Sequence, residues 1–247
     1  MFKPCVVIPV YNHEHAVGIV TSAVLALGLP CILVDDGSTP ACARVLDALA
    51  DAAPGAITLL RHEVNRGKGA AVLTGMRHAA DAGHSHALQI DADGQHSSAD
   101  IPQFLAQAAA NPAALIVGCP QYDESVPAAR LYARYLTHVW VWINTLSLQV
   151  RDSMCGFRVY PLAPLLALAE RRRLGERMDF DIEVLVRLCW DGLHVVNVPT
   201  RVVYPLDGVS HFRVWLDNLL ISRMHATLFC GMLVRLPMLL LRVRRWP

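Results

Sequence analysis

The first 120 residues alternate short, uninterrupted apolar runs with segments of helical apolar spacing, and few architectures accept that alternation. The runs are CVVIPVY, CILVDDGS, AITLLRHE, HALQIDADG and ALIVGC. Between them lie HEHAVGIVTSAVLALG, PACARVLDALADAA, KGAAVLTGMRHAADAG and SADIPQFLAQAAANP. Continuous apolar strands separated by helices specify an α/β chain, a three-layer sandwich whose mostly parallel central sheet is covered on both faces. Ligands of such sheets bind outside the carboxyl ends of the strands. Polar residues collect at those ends: Tyr11-Asn12, Asp35-Asp36-Gly37-Ser38 and Asp91-Ala92-Asp93. Three strand ends thus form one polar rim.

The second half is less regular. Residues 128 to 150 read as one long, mostly apolar helix, and DSMCGFRVYP as a turn into a strand. MDFDIEVLVRLCWDG reads as a helix opening with acids, and HVVNVPTRVVYP as a strand. The last 29 residues hold five Arg and no acid. Their longest charge-free piece, Met224 to Val234, is shorter than the roughly 20 apolar residues that a bilayer span needs. An amphipathic helix lying among lipid headgroups, its basic end on anionic lipid, fits that pattern. A helix packed on the domain core fits it too. The chain therefore divides into a main domain, 1–215, and a membrane-associating tail, 216–247.

Composition narrows the partners. An apolar fraction of 54% and a mean hydropathy of +0.35 call for a large core or a membrane-facing surface. Lys and Arg (22) balance Asp and Glu (21), so bulk charge gives no reason to expect nucleic acid. The seven Cys are scattered and form no CxxC pair, which argues against a disulfide framework or a zinc cluster. A reducing cytoplasm is the expected compartment. The opening MFKPCVVIPVYN also lacks the long apolar core and cleavage site of a signal peptide.

Asp91 and Asp93 carry the most informative chemistry. Residues i and i+2 of a strand share a side, so both carboxylates at a strand end can face one point. Two like charges that close repel each other unless a cation stands by. Hard oxygen ligands suit Mg²⁺ or Mn²⁺, ions that commonly bridge to substrate phosphates, and Gln95 offers a third oxygen. Without the strand before and Gly94 after, the pair would read as solvated loop acids. Asp35 and Asp36 end the second strand, where acids accept hydrogen bonds from a base or ribose. The following Ser38-Thr39-Pro40 reads as a helix start. NRGKGAA, residues 65–71, is not a Walker A loop, because its first Gly is missing and Gly69 follows Lys68. It is a basic, Gly-rich turn at a helix start that can meet an anion or serve only as a turn.

Together these segments resemble the family 2 glycosyltransferases. The carrying residues are VVIPVYNHE (6–14), LVDDGST (33–39), NRGKGAA (65–71), IDADGQH (90–96), DSMCGFRVY (152–160) and MDFDIEV (178–184), spread over about residues 5–212. The branch that it resembles is the dolichol-phosphate-mannose-synthase-like group. The segment VSHFRVWLDNLLISRMHATLFCGML is similar to bacterial glycosyltransferases found with aryl-polyene pigment genes. The resemblance implies a GT-A fold, a UDP- or GDP-linked sugar donor and inversion by in-line attack. It implies that Pro9, Tyr11, Asn12, Glu14, Asp35, Asp36, Lys68 and Asp91 bind the nucleotide sugar. Asp91, Asp93 and Gln95 would hold Mg²⁺ or Mn²⁺ on its diphosphate. A lipid-like acceptor would be served by Asp152, Asp181 or Glu183 as base, or by Arg130, Arg134 and Arg158 if it is a phosphate. The Arg residues also suit snorkelling from apolar helices, and the acids of MDFDIE suit a first helical turn.

Two departures bear on the acceptor. Where the polyprenyl-phosphate enzymes show Gly-Ser-Arg after the fifth strand, this chain has Gly118-Cys119-Pro120. Their later Gly-x-Ser-Lys reads Gly208-Val209-Ser210-His211, where His211 is a candidate diphosphate or metal ligand or a plain loop imidazole. A lipid or pigment hydroxyl is then an alternative to the phosphate. The expected protein is a metal-dependent glycosyltransferase, peripheral at the inner face of the cytoplasmic membrane. The competing readings are a sugar-phosphate nucleotidyltransferase and a non-catalytic nucleotide-sugar-binding protein.

Overall fold

The computed structural model describes residues 1–121, 128–202 and 213–243. Among them, strands β1 (Pro4–Val10), β2 (Cys31–Asp36), β3 (Ile57–His62), β4 (His86–Gln89), β5 (Leu115–Gln121), β6 (Arg158–Pro161) and β7 (Val195–Arg201) form one sheet. Its order is β3-β2-β1-β4-β6-β5-β7. All neighbours are parallel except those of β6, which runs antiparallel to β4 and β5.

The uninterrupted apolar runs follow from burial on both faces. Cys5, Val7, Ile32 and Val34 enter one core, while Val6, Ile8, Cys31 and Leu33 enter the other, the two-residue period of a strand. Helices α1 (Val17–Ala26), α2 (Pro40–Ala52) and α4 (Ile101–Ala110) cover the second core. The first is covered by α3 (Lys68–Asp81), α6 (Leu162–Arg171), α7 (Phe180–Asp191) and α8 (Val214–Val243). Helix α5 (Ala128–Thr145) packs on α7 and α8. Each fully buried Val, Leu or Ile stabilises the sandwich by about 1.5–3 kcal/mol before entropy is counted.

Several boundaries differ from those read in the sequence. The expected helix over 128–150 stops at Thr145, because Leu146 adopts the left-handed conformation (φ 51°) and Ser147 N–H turns back to Trp142 O. The segment 162–171, left unassigned by the sequence reading, is helix α6. Strand β4 ends at Gln89, two residues short of Asp91.

Helix α8 is continuous over 30 residues. One face buries Met224, Leu228, Met232 and Leu239 in the first core, and the Arg235 guanidinium lies 4.7 Å from the Trp190 ring centroid. The other face exposes Trp215, Leu219, Leu233, Val234 and Leu241, and α5 exposes Tyr132, Tyr135 and Leu136. Trp215–Leu241, 27 residues with a mean hydropathy of 1.6, is long and apolar enough to cross a membrane by length and composition. The expectation of a tail too short to span counted only its longest charge-free piece. Its packed face favours a helix lying against the protein over one that leaves it.

His225 is buried on α8 beside Trp140 of α5, with no hydrogen bond to either ring nitrogen. Burial pushes its pKa down to about 4. The unfolded chain therefore binds a proton near pH 6.5 that the folded chain refuses, so this group makes stability fall as pH drops from about 6.5 to about 4. In His225→Leu, denaturant unfolding across that window should show a shallower loss of stability, by up to one proton in the slope. An unchanged slope would place His225 outside the packed interface.

Candidate active site

The carboxyl ends of β2, β1 and β4 meet on one rim, as the topology requires. Two loops there are stapled together. Asn12, held at φ 55°, donates its N–H to Ser38 Oγ (3.1 Å), and its Oδ1 accepts from Thr39 N (2.8 Å). Asp35 accepts from Ser38 N (2.9 Å) and Arg61 Nε (2.8 Å). Asp36 accepts from Arg66 N and Gly67 N (2.9 and 2.8 Å) and pairs with His62 Nδ1 (2.7 Å). Both acids are buried. They build the turns of the rim, and their oxygens are committed inside the protein rather than turned out to a base or ribose. Pro9 is buried on β1, and Tyr11 is half-buried beyond it. Glu14 is half-buried, and its Oε2 is buried without a hydrogen-bond partner, an acceptor that a ligand N–H or O–H would satisfy.

At the centre stands Lys68, the first residue of α3. Its Nζ lies 2.8 and 2.9 Å from the two oxygens of Asp91 and 3.0 Å from Asp181 Oδ2. Asp181, in the first turn of α7, also accepts from Gln89 Nε2 of β4 (3.2 Å). Burial opposes a charged amine, yet Asp181 and Asp91 hold Lys68 above the usual lysine range. Burial is the largest influence on Asp91 and pushes its carboxyl up, but the Lys68 charge and hydrogen bond, with the neighbouring imidazoles, together outweigh it and hold the carboxyl low. Two glycines make room for this pair. A Cβ on Gly156 would sit 2.5 Å from Asp91 Oδ2 and 2.6 Å from Lys68 Nζ. Gly67, at φ 104°, lets the chain turn into α3 beneath Glu176 O, which accepts from Ala70 N (3.1 Å).

Asp93 sits in the turn after β4, where its Oδ1 accepts from Gln95 N (3.0 Å). The two acids therefore come together through a turn and not through strand alternation. Burial and the Asp91 charge both push the Asp93 carboxyl up. Asp91 Oδ1 is buried and accepts no hydrogen bond despite its closeness to Nζ. Each feature is one that a divalent cation would relieve. Among the described residues, no three His, Cys, Asp or Glu side chains are grouped to hold a metal. Asp91 and Asp93 are hard oxygen donors of the kind that suits Mg²⁺ or Mn²⁺, and are the residues that could hold such an ion. Gln95 contributes its backbone to the turn. His96, whose part in the site the sequence did not signal, has Nε2 4.0 Å from Asp91 and packs on Phe157. Burial lowers its pKa and keeps it neutral.

The acids considered as bases are all engaged. Asp152 takes a two-pronged ion pair from Arg134 (2.6 and 2.7 Å) and backbone hydrogens from Met154 and Cys155, and His138 Nε2 lies 3.4 Å away. Burial raises its carboxyl, but hydrogen bonds from His138 and Arg134 outweigh burial and leave it well below the usual carboxylate range. Asp181 is committed to Lys68. Glu183 pairs with Arg187 and accepts from Gly175 N (2.7 Å), which ties α7 to the preceding loop and leaves it outside the cluster. Arg158 is fully buried and donates to Cys155 O, Ser153 O and Asp181 O, so it braces β6 and does not face an acceptor. Arg130 lies on α5 with its side chain outside the described residues, as does all of His211.

A model of the family described as Glycosyl transferase family 2 matches residues 5–163. The chain is a family 2 glycosyltransferase. It belongs to the dolichol-phosphate-mannose-synthase-like branch. It is 25% identical to a UDP-N-acetylglucosamine–dolichyl-phosphate N-acetylglucosaminyltransferase of Methanococcus voltae, over 80% of this chain and 84% of that one. It is also 25% identical to a polyprenol monophosphomannose synthase of Mycolicibacterium smegmatis, over 84% and 80%. Among solved structures it resembles glucosyl-3-phosphoglycerate synthase of Mycobacterium tuberculosis in complex with phosphoglyceric acid (TM-score 0.64, 18% identity, 95% of this chain and 80% of that one). It also resembles a mannosyltransferase of Pyrobaculum calidifontis in complex with GDP-Man and Mn²⁺ (TM-score 0.61, 15% identity, 94% and 64%). These likenesses give the glycosyltransferase the GT-A fold.

The packing around Gly156 yields a test. Gly156→Ala should lower unfolding stability by about 1–3 kcal/mol, the usual range for overpacking. Gly18→Ala, where an added Cβ meets nothing within 4 Å, should be neutral or stabilising in helix α1. Denaturant unfolding of both variants decides it, and equal stabilities would mean that Gly156 is not pressed against the Lys68–Asp91 pair.

Proposed function

We propose that this glycosyltransferase moves a sugar from a UDP- or GDP-linked donor to a polyprenyl phosphate at a membrane surface, with inversion and with Mg²⁺ or Mn²⁺ held by Asp91 and Asp93. The ion supplies Lewis-acid stabilisation of the departing diphosphate. The observation that carries the acceptor assignment is the state of Asp152, Asp181 and Glu183. None is a free carboxylate, and Asp152 has little affinity for a proton. A hydroxyl acceptor needs a base within reach, whereas a phosphate is already an anion and attacks without one. Burial and the Asp152 charge push the Cys119 thiol up, and Arg151 and Arg134 stand near enough to oppose them, so two cations lie by the stretch of β5 that lacks the family's Arg.

The names of the relatives support the same acceptor class, since they specify dolichyl phosphate and polyprenol monophosphomannose. The Pyrobaculum structure, with GDP-Man and Mn²⁺, supports the donor and the ion. Glu14 Oε2 is the acceptor left for a base or ribose hydrogen. Arg134 and His138 orient Asp152 at the acceptor side, and Gln89 and Asp181 fix Lys68 behind the diphosphate site. The tail from 216 on brings the rim to the lipid, with Trp215, Leu219 and the α5 tyrosines as its apolar contact. The seven cysteines are free thiols, which agrees with a peripheral place on the cytoplasmic side.

The test is transfer from GDP- or UDP-sugars with Mn²⁺ to a polyprenyl phosphate and to the matching polyprenol, read by mass spectrometry. Product should form on the phosphate alone, and EDTA should abolish it. Asp91→Asn and Asp93→Asn should each lower kcat by about 10²–10³ with unchanged circular dichroism. Transfer to the alcohol only, or activity insensitive to EDTA, would refute the assignment. Pyrophosphate release from a nucleoside triphosphate and a sugar phosphate would make the protein a nucleotidyltransferase.

A further inference from the structure

We propose that Lys68 is a resident counter-cation that blocks the Asp91–Asp93 pair to a free divalent ion, so that this pair accepts the ion only together with the nucleoside diphosphate. The proposal rests on the metal-dependent reading above and adds an order of binding to it.

Lys68 is placed where a metal would otherwise be needed. An ammonium has three hydrogens to give, and within 3.0 Å it has both oxygens of Asp91 and one of Asp181. Its charge is divided between two protein carboxylates, with a hydrogen given to Asp91 Oδ2, so it turns to a phosphate by leaving one of them. Asp181 is the fixed partner. It stands in the first turn of α7, favoured there by the helix dipole, and is gripped by the fully buried Gln89 of β4. Asp91 is the releasable partner. It lies beyond the end of β4, accepts from no donor among the described residues except Lys68, and keeps Oδ1 outside hydrogen-bond geometry. Gly156 presses the pair together from the third side.

The charges set the order. With Lys68 in place, Asp91 and Asp181 share one ammonium, and Asp93 forms no ion pair among the described residues. One such group is a poor site for a strongly hydrated ion, which is normally held by carboxylates together with substrate phosphates. The diphosphate brings the missing negative charge. Lys68 then keeps Asp181, gives up Asp91 to the ion and turns its freed hydrogen to the phosphate.

Mn²⁺ binding to the full chain, followed by the free Mn²⁺ EPR signal and by thermal shift, tests this without turnover. Wild type should bind millimolar Mn²⁺ weakly and keep its Tm, and Mn²⁺ with UDP or GDP should raise Tm. Lys68→Met should bind Mn²⁺ alone at least about tenfold more tightly, because a like charge next to the site is gone. Lys68→Arg, which keeps the charge, should bind Mn²⁺ alone no more tightly than wild type. Wild type binding Mn²⁺ alone as tightly as with the diphosphate would overturn the proposal while leaving the metal-dependent reading intact, and this arm decides even if Lys68→Met does not fold. A folded Lys68→Met with no gain in Mn²⁺ affinity would also overturn it. If neither UDP nor GDP with Mn²⁺ moves the wild-type Tm, the reading and the proposal fall together.

Discussion

The ammonium of Lys68 lies within 3.0 Å of two carboxylates that reach it from distant parts of the chain, Asp91 after β4 and Asp181 at the start of α7. Four separated motifs become one structure through that contact. The Gly-rich turn supplies the amine, the Asp-x-Asp turn one acid, MDFDIE the other, and MCGFR the glycine whose bare Cα lets them close. A buried ion pair of this kind is weak evidence for net stability, because desolvation offsets most of the attraction. What it does is fix position. Removing any member leaves an uncompensated charge in the interior, so the three groups specify one another's places and therefore the geometry of the rim.

The rest of the rim is built on the same plan, with acids spent on backbone. Asp35 and Asp36 tie the ends of β2 to the following turn and to the loop before α3, and Asn12 staples the β1 loop to Ser38 and Thr39. Arg134 and His138 of α5 do the equivalent for Asp152. A site so consumed in holding itself leaves few groups free to react. Among the described residues of the rim, Glu14 Oε2, Gln89 Oε1, Asp91 Oδ1 and His96 Nδ1 are buried without a hydrogen bond and Asp93 is weakly compensated; Glu14, Asp91 and Asp93 are the ones that suit a nucleotide and a cation. A site of this kind works by positioning and charge.

Much of this was legible in the residues. Apolar runs showed two-faced strands because burial on both sides erases alternation, and the polar strand ends followed from parallel topology. The direction of β6 was not legible, since RVYP is four residues long and fully buried whichever way it runs. Helix α6 was not read from the sequence; its Pro164 sits in the first turn, where a helix tolerates it. Partners were the larger gap. Spacing tells which side a residue faces and not what it meets, so Arg158 read as a phosphate ligand and is a fully buried brace, and Glu183 read as a base and holds Arg187. For His96 the only signal was its place three residues after Asp93.

The most direct measurement of the Lys68 clamp is a double-mutant cycle in unfolding free energy with Lys68→Met, Asp181→Asn and the double variant. Direct contact predicts a coupling of about 1–3 kcal/mol, with the double variant less damaged than the two single losses combined. Losses that add to within about 0.5 kcal/mol would mean that the two side chains do not share a bond in the folded enzyme, and the account built on their contact would be wrong.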